Sequence, residues 1–123
     1  MKIAILIIRI LLGLAFVVFG LNGFLHFIKG PMPQGQAGAF IGAMFLSGYF
    51  SVVAALQIVG GLILLSGRFV ALGLTLLGPI VVNIMLFHIF LEHTGLPMAA
   101  VFAALTVFLI WGYRDRFAAI LKA

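Results

Sequence analysis

The stretch YFSVVAALQIVGGLILLSGRFVALGLTLLGPIVVNIMLFHIFL, residues 49–91, decides the fold. It reads as two apolar spans, about Tyr49–Leu65 and about Phe69–Leu91, joined by a very tight turn at Gly67-Arg68. Each run approaches the roughly 20 residues that a helix needs to cross about 30 Å of hydrocarbon. The runs are continuous where barrel strands would alternate, so the sequence predicts helices. Pro79 is expected to kink the second helix or loosen its hydrogen bonding one turn upstream.

Outward from this pair, an earlier span runs about Ile3–Ile28 and stops at Lys29-Gly30-Pro31-Met32-Pro33. The two prolines lack backbone donors and push the residues before them out of helical geometry. The apolar segment from Ala37 to Ser66 is too long for one untilted crossing. A break at Ser47-Gly48 divides it into a short interfacial helix over Ala39–Leu46 and the span that starts at Tyr49. Tyr49 and Phe50 then sit at headgroup level, where aromatic rings are favoured. Beyond the turn Glu92-His93-Thr94-Gly95, a fourth span runs about Pro97–Tyr113, with proline suited to a first helical position. Arg114 to Lys122 reads as a basic amphipathic tail at the membrane surface. The expectation is an all-α, single-domain integral membrane four-helix bundle, with a short interfacial helix between the first and second spans. The N-terminal run is too long for a signal peptide and lacks a small-residue cleavage site, so it is expected to be an uncleaved span.

Composition agrees. Of the 123 residues 66% are hydrophobic and 7% charged, with mean hydropathy +1.41, too little polar surface for a water-facing domain. The net charge of +5 does not imply nucleic acid, because the basic residues stand at helix ends with no aromatic-interleaved basic face. There is no cysteine, which excludes thiol–disulfide chemistry, thiolate metal sites and covalent haem attachment.

Lys2, Arg68, Arg114, Arg116 and Lys122 fall on one side of the expected bilayer, with Arg9 near it, and Lys29 alone on the other. Positive charge stays inside, so both termini and the Gly67-Arg68 turn are expected in the cytoplasm. Arg9, about 9 Å from that boundary, is expected to snorkel along its own stem to the headgroups, the other option being to face the bundle and pair with a partner subunit. Gly13, Gly20, Gly60, Gly61, Gly73 and Gly78 are expected to let helices approach closely, with Gly60-Gly61 as the pair that could instead leave room for a ligand.

Within a membrane the polar side chains are the informative ones. At about 1.5 Å per residue, Asn22 lies about 9 Å below the outer boundary, Gln57 and Asn83 about 12 Å, and Thr106 about 13 Å. Each helix thus contributes one uncharged polar residue to an outer layer. His26, His88, Glu92 and His93 lie nearer the surface; Asn22 with His26, and His88 with Glu92, are four residues apart on one helix face. Two readings follow: interhelical hydrogen bonds that fix register, or an outward-facing pocket for the head of a lipophilic ligand such as a quinone. In the second, histidines at the mouth would bond a carbonyl or pass protons, His88 being favoured because Glu92 stabilises its protonated ring. Bis-histidine haem ligation by His26 and His88 is not expected, since both lie near the lipid–water boundary. A metal site from His26, His88, Glu92 and His93 is possible by residue type but has no spacing signature.

Four pieces occur in order: Phe19-Gly20-Leu21-Asn22-Gly23-Phe24; Val59-Gly60-Gly61 through Ser66-Gly67-Arg68-Phe69; Gly78-Pro79-Ile80-Val81-Val82-Asn83 through Phe87-His88; and Trp111-Gly112-Tyr113-Arg114-Asp115-Arg116-Phe117. With them the chain resembles the DoxX family of small bacterial four-helix membrane proteins, over essentially its full length. The resemblance implies an inner-membrane protein of the kind labelled oxidoreductase, through similarity to small membrane subunits of thiosulfate:quinone oxidoreductase. Many relatives carry a glutamate where this chain has Gln57, and another where it has Thr106. Amide and hydroxyl bind but do not relay protons, which weakens proton-coupled chemistry at that layer.

With one Glu, one Asp, three His and no Cys, the chain has no self-sufficient catalytic set. The function expected first is an accessory or quinone-linked subunit that works with a redox partner. The alternatives are a membrane scaffold or assembly protein, and a small transporter or lipid-handling protein; homo-oligomers are compatible with each.

Overall fold

The computed structural model describes residues 1–26 and 33–121. The expected end of the first span at Ile28, the Lys29–Met32 boundary and the placement of Lys122 lie outside them. Among the described residues there are six helices and no strand: α1 Lys2–Leu25, α2 Gly35–Ser47, α3 Tyr49–Ser66, α4 Val70–Phe90, α5 Leu96–Gly112 and α6 Arg114–Leu121.

Glycine sets two of the boundaries. Gly48, φ 83°, separates α2 from α3, and Gly67, φ 73°, closes α3 with its N–H donating to the Leu64 carbonyl. Both need the left-handed region that glycine enters without Cβ strain. α2 starts four residues before the expected Ala39, because no residue after Pro33 blocks it. α4 continues as α-helix through Pro79.

α1 packs against α3 and α5, and α4 against the same two, so the four long helices close into a ring. Short turns at 67–69 and 91–95 make α3, α4 and α5 successively antiparallel. Phe16 and Phe19 of α1 meet Phe102 of α5 edge-on, with ring centroids 5.6 and 5.9 Å apart, and close the ring. Leu12, Phe16, Leu64, Leu74, Leu77 and Leu109 fill the centre. α2 lies on α3 across one end, where Phe45 stacks on Phe50 at 4.5 Å and Phe40 meets Phe87 of α4 at 5.6 Å.

The α1–α3 seam is built from missing side chains. A Cβ on Gly13 would stand 2.9 Å from the Gly61 carbonyl oxygen, and one on Gly20 would stand 2.9 Å from that of Ala54. Gly60 faces the other way and is filled by Leu77 of α4, while Gly61 meets Gly13 and Val17. Gly60-Gly61 therefore leaves no ligand space; helix packing takes it. Gly73 fits against Ile63 as expected, but a Cβ on Gly78 would meet nothing within 4 Å, so that glycine is not a packing position within this chain.

Three helices, α1, α3 and α4, are long and apolar enough to cross a membrane, and α5 is apolar with 17 residues. Only 22%, 28% and 33% of their most apolar windows is buried inside the protein. Ile7, Leu11, Val52, Leu62, Leu72 and Val107 all point outward. So continuous an apolar exterior is matched to lipid; a soluble monomer rarely exposes large contiguous apolar patches.

Candidate functional site

The four members of the outer polar layer take four different environments. Gln57, on the inner side of α3, is 8% exposed and forms no hydrogen bond with the described residues. Its Cβ lies against Gly20 of α1, whose lack of a side chain makes room for it. Thr106, 3% exposed, is buried in α5, and its hydroxyl donates to the Phe102 carbonyl of its own helix at 2.8 Å. Asn22 is half-buried near the end of α1 and has a partner of its own. Asn83 stands on the exposed side of α4, where Nδ2 donates back to the Pro79 carbonyl at 3.1 Å. Equal depth therefore does not bring the four together: Gln57 and Thr106 are inside, and Asn83 faces away from the bundle.

The histidines separate in the same way. His26 does not continue the α1 face below Asn22. It ends the helix in the left-handed region, φ 54°, and sets its ring 5.6 Å from Phe45 of α2. His88, half-buried, bonds the Ile84 carbonyl through Nδ1 at 2.8 Å. A carbonyl only accepts, so Nδ1 carries the hydrogen and Nε2 of the neutral ring is an acceptor. Nε2 lies where a side chain on Gly95 would stand. His93 Nε2 likewise bonds the Ile89 carbonyl, at 2.7 Å.

The Glu92 carboxylate is held by a local turn, with His88 near enough for its charge to act on it. Oε1 of Glu92 accepts from the Thr94 hydroxyl at 2.7 Å and from the Thr94 N–H at 3.2 Å. The Thr94 hydroxyl first, then its N–H, hold the Glu92 carboxyl below its usual range, with the nearby charges of His93 and His88 acting in the same direction. Among the described residues, no group of three or more His, Asp or Glu is placed to hold a metal.

Arg9 reaches toward the Gly67 end of the bundle and finds a partner there. Its Nη1 donates to the Leu64 carbonyl of α3 at 3.2 Å, and the guanidinium occupies the space beside Gly67 that a side chain would need. Leu64 is in the last turn of α3, so the cation meets the negative end of that helix. Nε is buried without a hydrogen-bond partner among the described residues. The signal was in the sequence: Arg9 is four residues before Gly13, on the face that packs against α3.

At the same end, Arg68 and Arg116 line an open groove of about 510 Å³ beside the start of α4, and Lys2, Asp115 and Arg116 a second one of about 380 Å³. Arg114 and Arg116 lie over the Trp111 and Tyr113 rings, 4.6 and 5.5 Å from their centroids. Lys2, Arg68, Arg114 and Arg116 are thus gathered at one end of the bundle, opposite the histidines. Compared with known proteins, the chain matches no family model, no curated protein and no solved structure.

Proposed function

We propose that the chain is a member of the DoxX family: a four-crossing protein of the bacterial inner membrane, with both termini in the cytoplasm. Its role there is that of an accessory, quinone-linked subunit of a membrane redox system. The basic residues gathered at one end support the orientation. The outward-facing leucines and valines support a lipid surround.

The observation that carries the ligand reading is the Gln57 amide, nine-tenths buried and unbonded to the described residues. The amide keeps some accessible surface and unused hydrogen-bonding capacity, and a bound molecule that accepts its N–H would use it. A quinone suits the position: its carbonyl oxygens accept hydrogen bonds, and its ring and tail fit an apolar bundle. Gln57 binds such a head without exchanging a proton with it. The chain has no thiol, so electrons would pass between quinone and a partner subunit.

One set of observations favours a scaffold instead. Thr75, Asn83, Thr106 and His88 bond carbonyls of their own helices, and His93 that of the helix before it, which is how polar groups behave when they have no ligand to hold. The two readings separate by mass spectrometry and an optical spectrum of the protein extracted mildly from its native membrane. A stoichiometric quinone that is lost in Gln57→Leu supports the subunit reading; protein that is empty and colourless overturns it in favour of the scaffold.

A further inference from the structure

Between their end turns, the exposed side chains of α1, α3 and α5 are apolar. α4 differs. Its outer face carries Leu72, Thr75, Pro79, Val82, Asn83, Leu86 and Phe90, all exposed. Leu72, Pro79 and Leu86 repeat every seven residues; Thr75 and Val82 lie three residues after the first two, and Asn83 lies four after Pro79. This is the spacing of a helix seam that packs against another helix. Gly78 flanks it, with open space where a side chain would be.

In lipid this face is under-satisfied. The Asn83 amide uses one N–H on the Pro79 carbonyl, which leaves its second N–H and Oδ1. Pro79 has no N–H to give the Thr75 carbonyl, so the helix lacks a bond at that point of the seam. Polar side chains at membrane depth normally face protein, and amides there bond across helices.

From these positions we propose that α4 is the interface of a parallel homodimer, in which Asn83 pairs with Asn83 of a second copy. This rests on the membrane-spanning reading given above. All copies share one orientation in the bilayer, so a two-fold axis along the membrane normal sets each α4 residue at the depth of its own counterpart. At that depth the amide is complementary in charge to itself: each free N–H faces the other copy's Oδ1, and two reciprocal hydrogen bonds form. A partner of different chemistry would need its own polar group at that depth; a second copy supplies one by symmetry. Thr75 and Gly78 narrow the seam, which lets the two helices approach.

The test uses the absence of native cysteine. Thr75→Cys and Leu86→Cys on α4 are oxidised in native membranes beside Val59→Cys on α3 and Val107→Cys on α5. Disulfide-linked dimers are expected at the α4 positions and at least tenfold less at the others; equal or greater linking on α3 or α5 overturns the proposal. Independently, energy transfer between labelled copies diluted in phosphatidylglycerol/phosphatidylethanolamine vesicles should show Asn83→Val weakening association about tenfold. An unchanged dimer in that variant, or a wild type that is monomeric at every dilution, overturns it too. Helix content and thermal midpoint of the monomeric variant establish that it is folded. Carbonate extraction of the same membranes separates the premises: a chain released by carbonate sinks the membrane reading, whereas a retained chain without α4 cross-links sinks the dimer alone.

Discussion

Gly13 and Gly61 are each other's reason for being glycine. A Cβ on the first would lie 2.9 Å from the carbonyl oxygen of the second, and one on the second would lie 2.7 Å from the carbonyl oxygen of the first. Both obstacles are backbone, so neither can rotate away. Association of helices in lipid depends on close van der Waals packing, and this contact sets how near α1 and α3 come. Gly61→Ala and Gly13→Ala should each lower the thermal midpoint in detergent, at an overpacking cost of about 1–3 kcal/mol. Gly78→Ala is the matched control. Its Cβ meets no atom of the described residues within 4 Å, so the monomer should lose nothing and gain the helix preference of alanine. Equal losses at all three sites would show that the seam is not where α1–α3 packing is decided.

Arg9 and Gly67 depend on each other in the same way. The guanidinium caps the end of α3 through the Leu64 carbonyl, in the place that a residue larger than glycine at 67 would take. Arg9→Met keeps the aliphatic stem and removes the charged hydrogen bond, a loss of about 1.5–3 kcal/mol before discounting for the half-buried setting. Gly67→Ala should cost more than Arg9→Met, because it displaces the arginine and also forces a side chain into φ 73°. The double variant should be less destabilised than the two single losses summed, since both remove one contact. Additive losses by denaturant titration would mean the two residues act separately.

Glu92 gives a pH-dependent observable outside the apolar helices. Its carboxyl is held below the usual range first by the Thr94 hydroxyl and then by the Thr94 N–H. A lowered folded pKa means the carboxylate form supports the 91–95 turn at pH above the unfolded value. That support is lost as pH falls through the lowered value. Thr94→Val removes the hydroxyl but keeps the N–H. The Glu92 midpoint, followed by carbon NMR in micelles, should move up part of the way toward an ordinary glutamate. A midpoint that does not move would assign the shift to the retained N–H and the neighbouring histidine charges instead.

The helix boundaries were legible because the chain is punctuated by residues with one physical meaning. The expected spans Tyr49–Leu65, Phe69–Leu91 and Pro97–Tyr113 became Tyr49–Ser66, Val70–Phe90 and Leu96–Gly112. Glycine, proline and charge mark those ends without ambiguity. The site was legible only in depth. Counting residues places Asn83 beside Gln57 along the bilayer normal, but which way a side chain faces depends on how its helix is rotated. The polar side chains of α4, Thr75, Asn83 and His88, are too few among its apolar residues to reveal that rotation from the sequence. Packing decides it: Gly60 receives Leu77 and thereby turns Asn83 outward. His26 was lost to the site for a different reason. A residue that ends its helix with positive φ no longer follows the helical face on which its spacing put it.

Gln57 is where stability and binding should move in opposite directions. An amide that holds helices together contributes about 0.6–2 kcal/mol, and replacing it with leucine destabilises the bundle. The Gln57 amide has no bond to the described residues, so an apolar side chain of similar size breaks none and removes the partial desolvation cost that the amide bears. Gln57→Leu should therefore raise the thermal midpoint of the ligand-free protein, by the equivalent of about 1 kcal/mol, while abolishing retention of any co-purified quinone. Gln57→Glu provides the second arm. A carboxylate in that position would place a charge inside the bundle, so Gln57→Glu should be less stable than wild type and should not retain the lipophile. A Gln57→Leu protein that melts earlier than wild type, with its lipophile still bound, would transfer Gln57 from the ligand to the packing of α1 against α3.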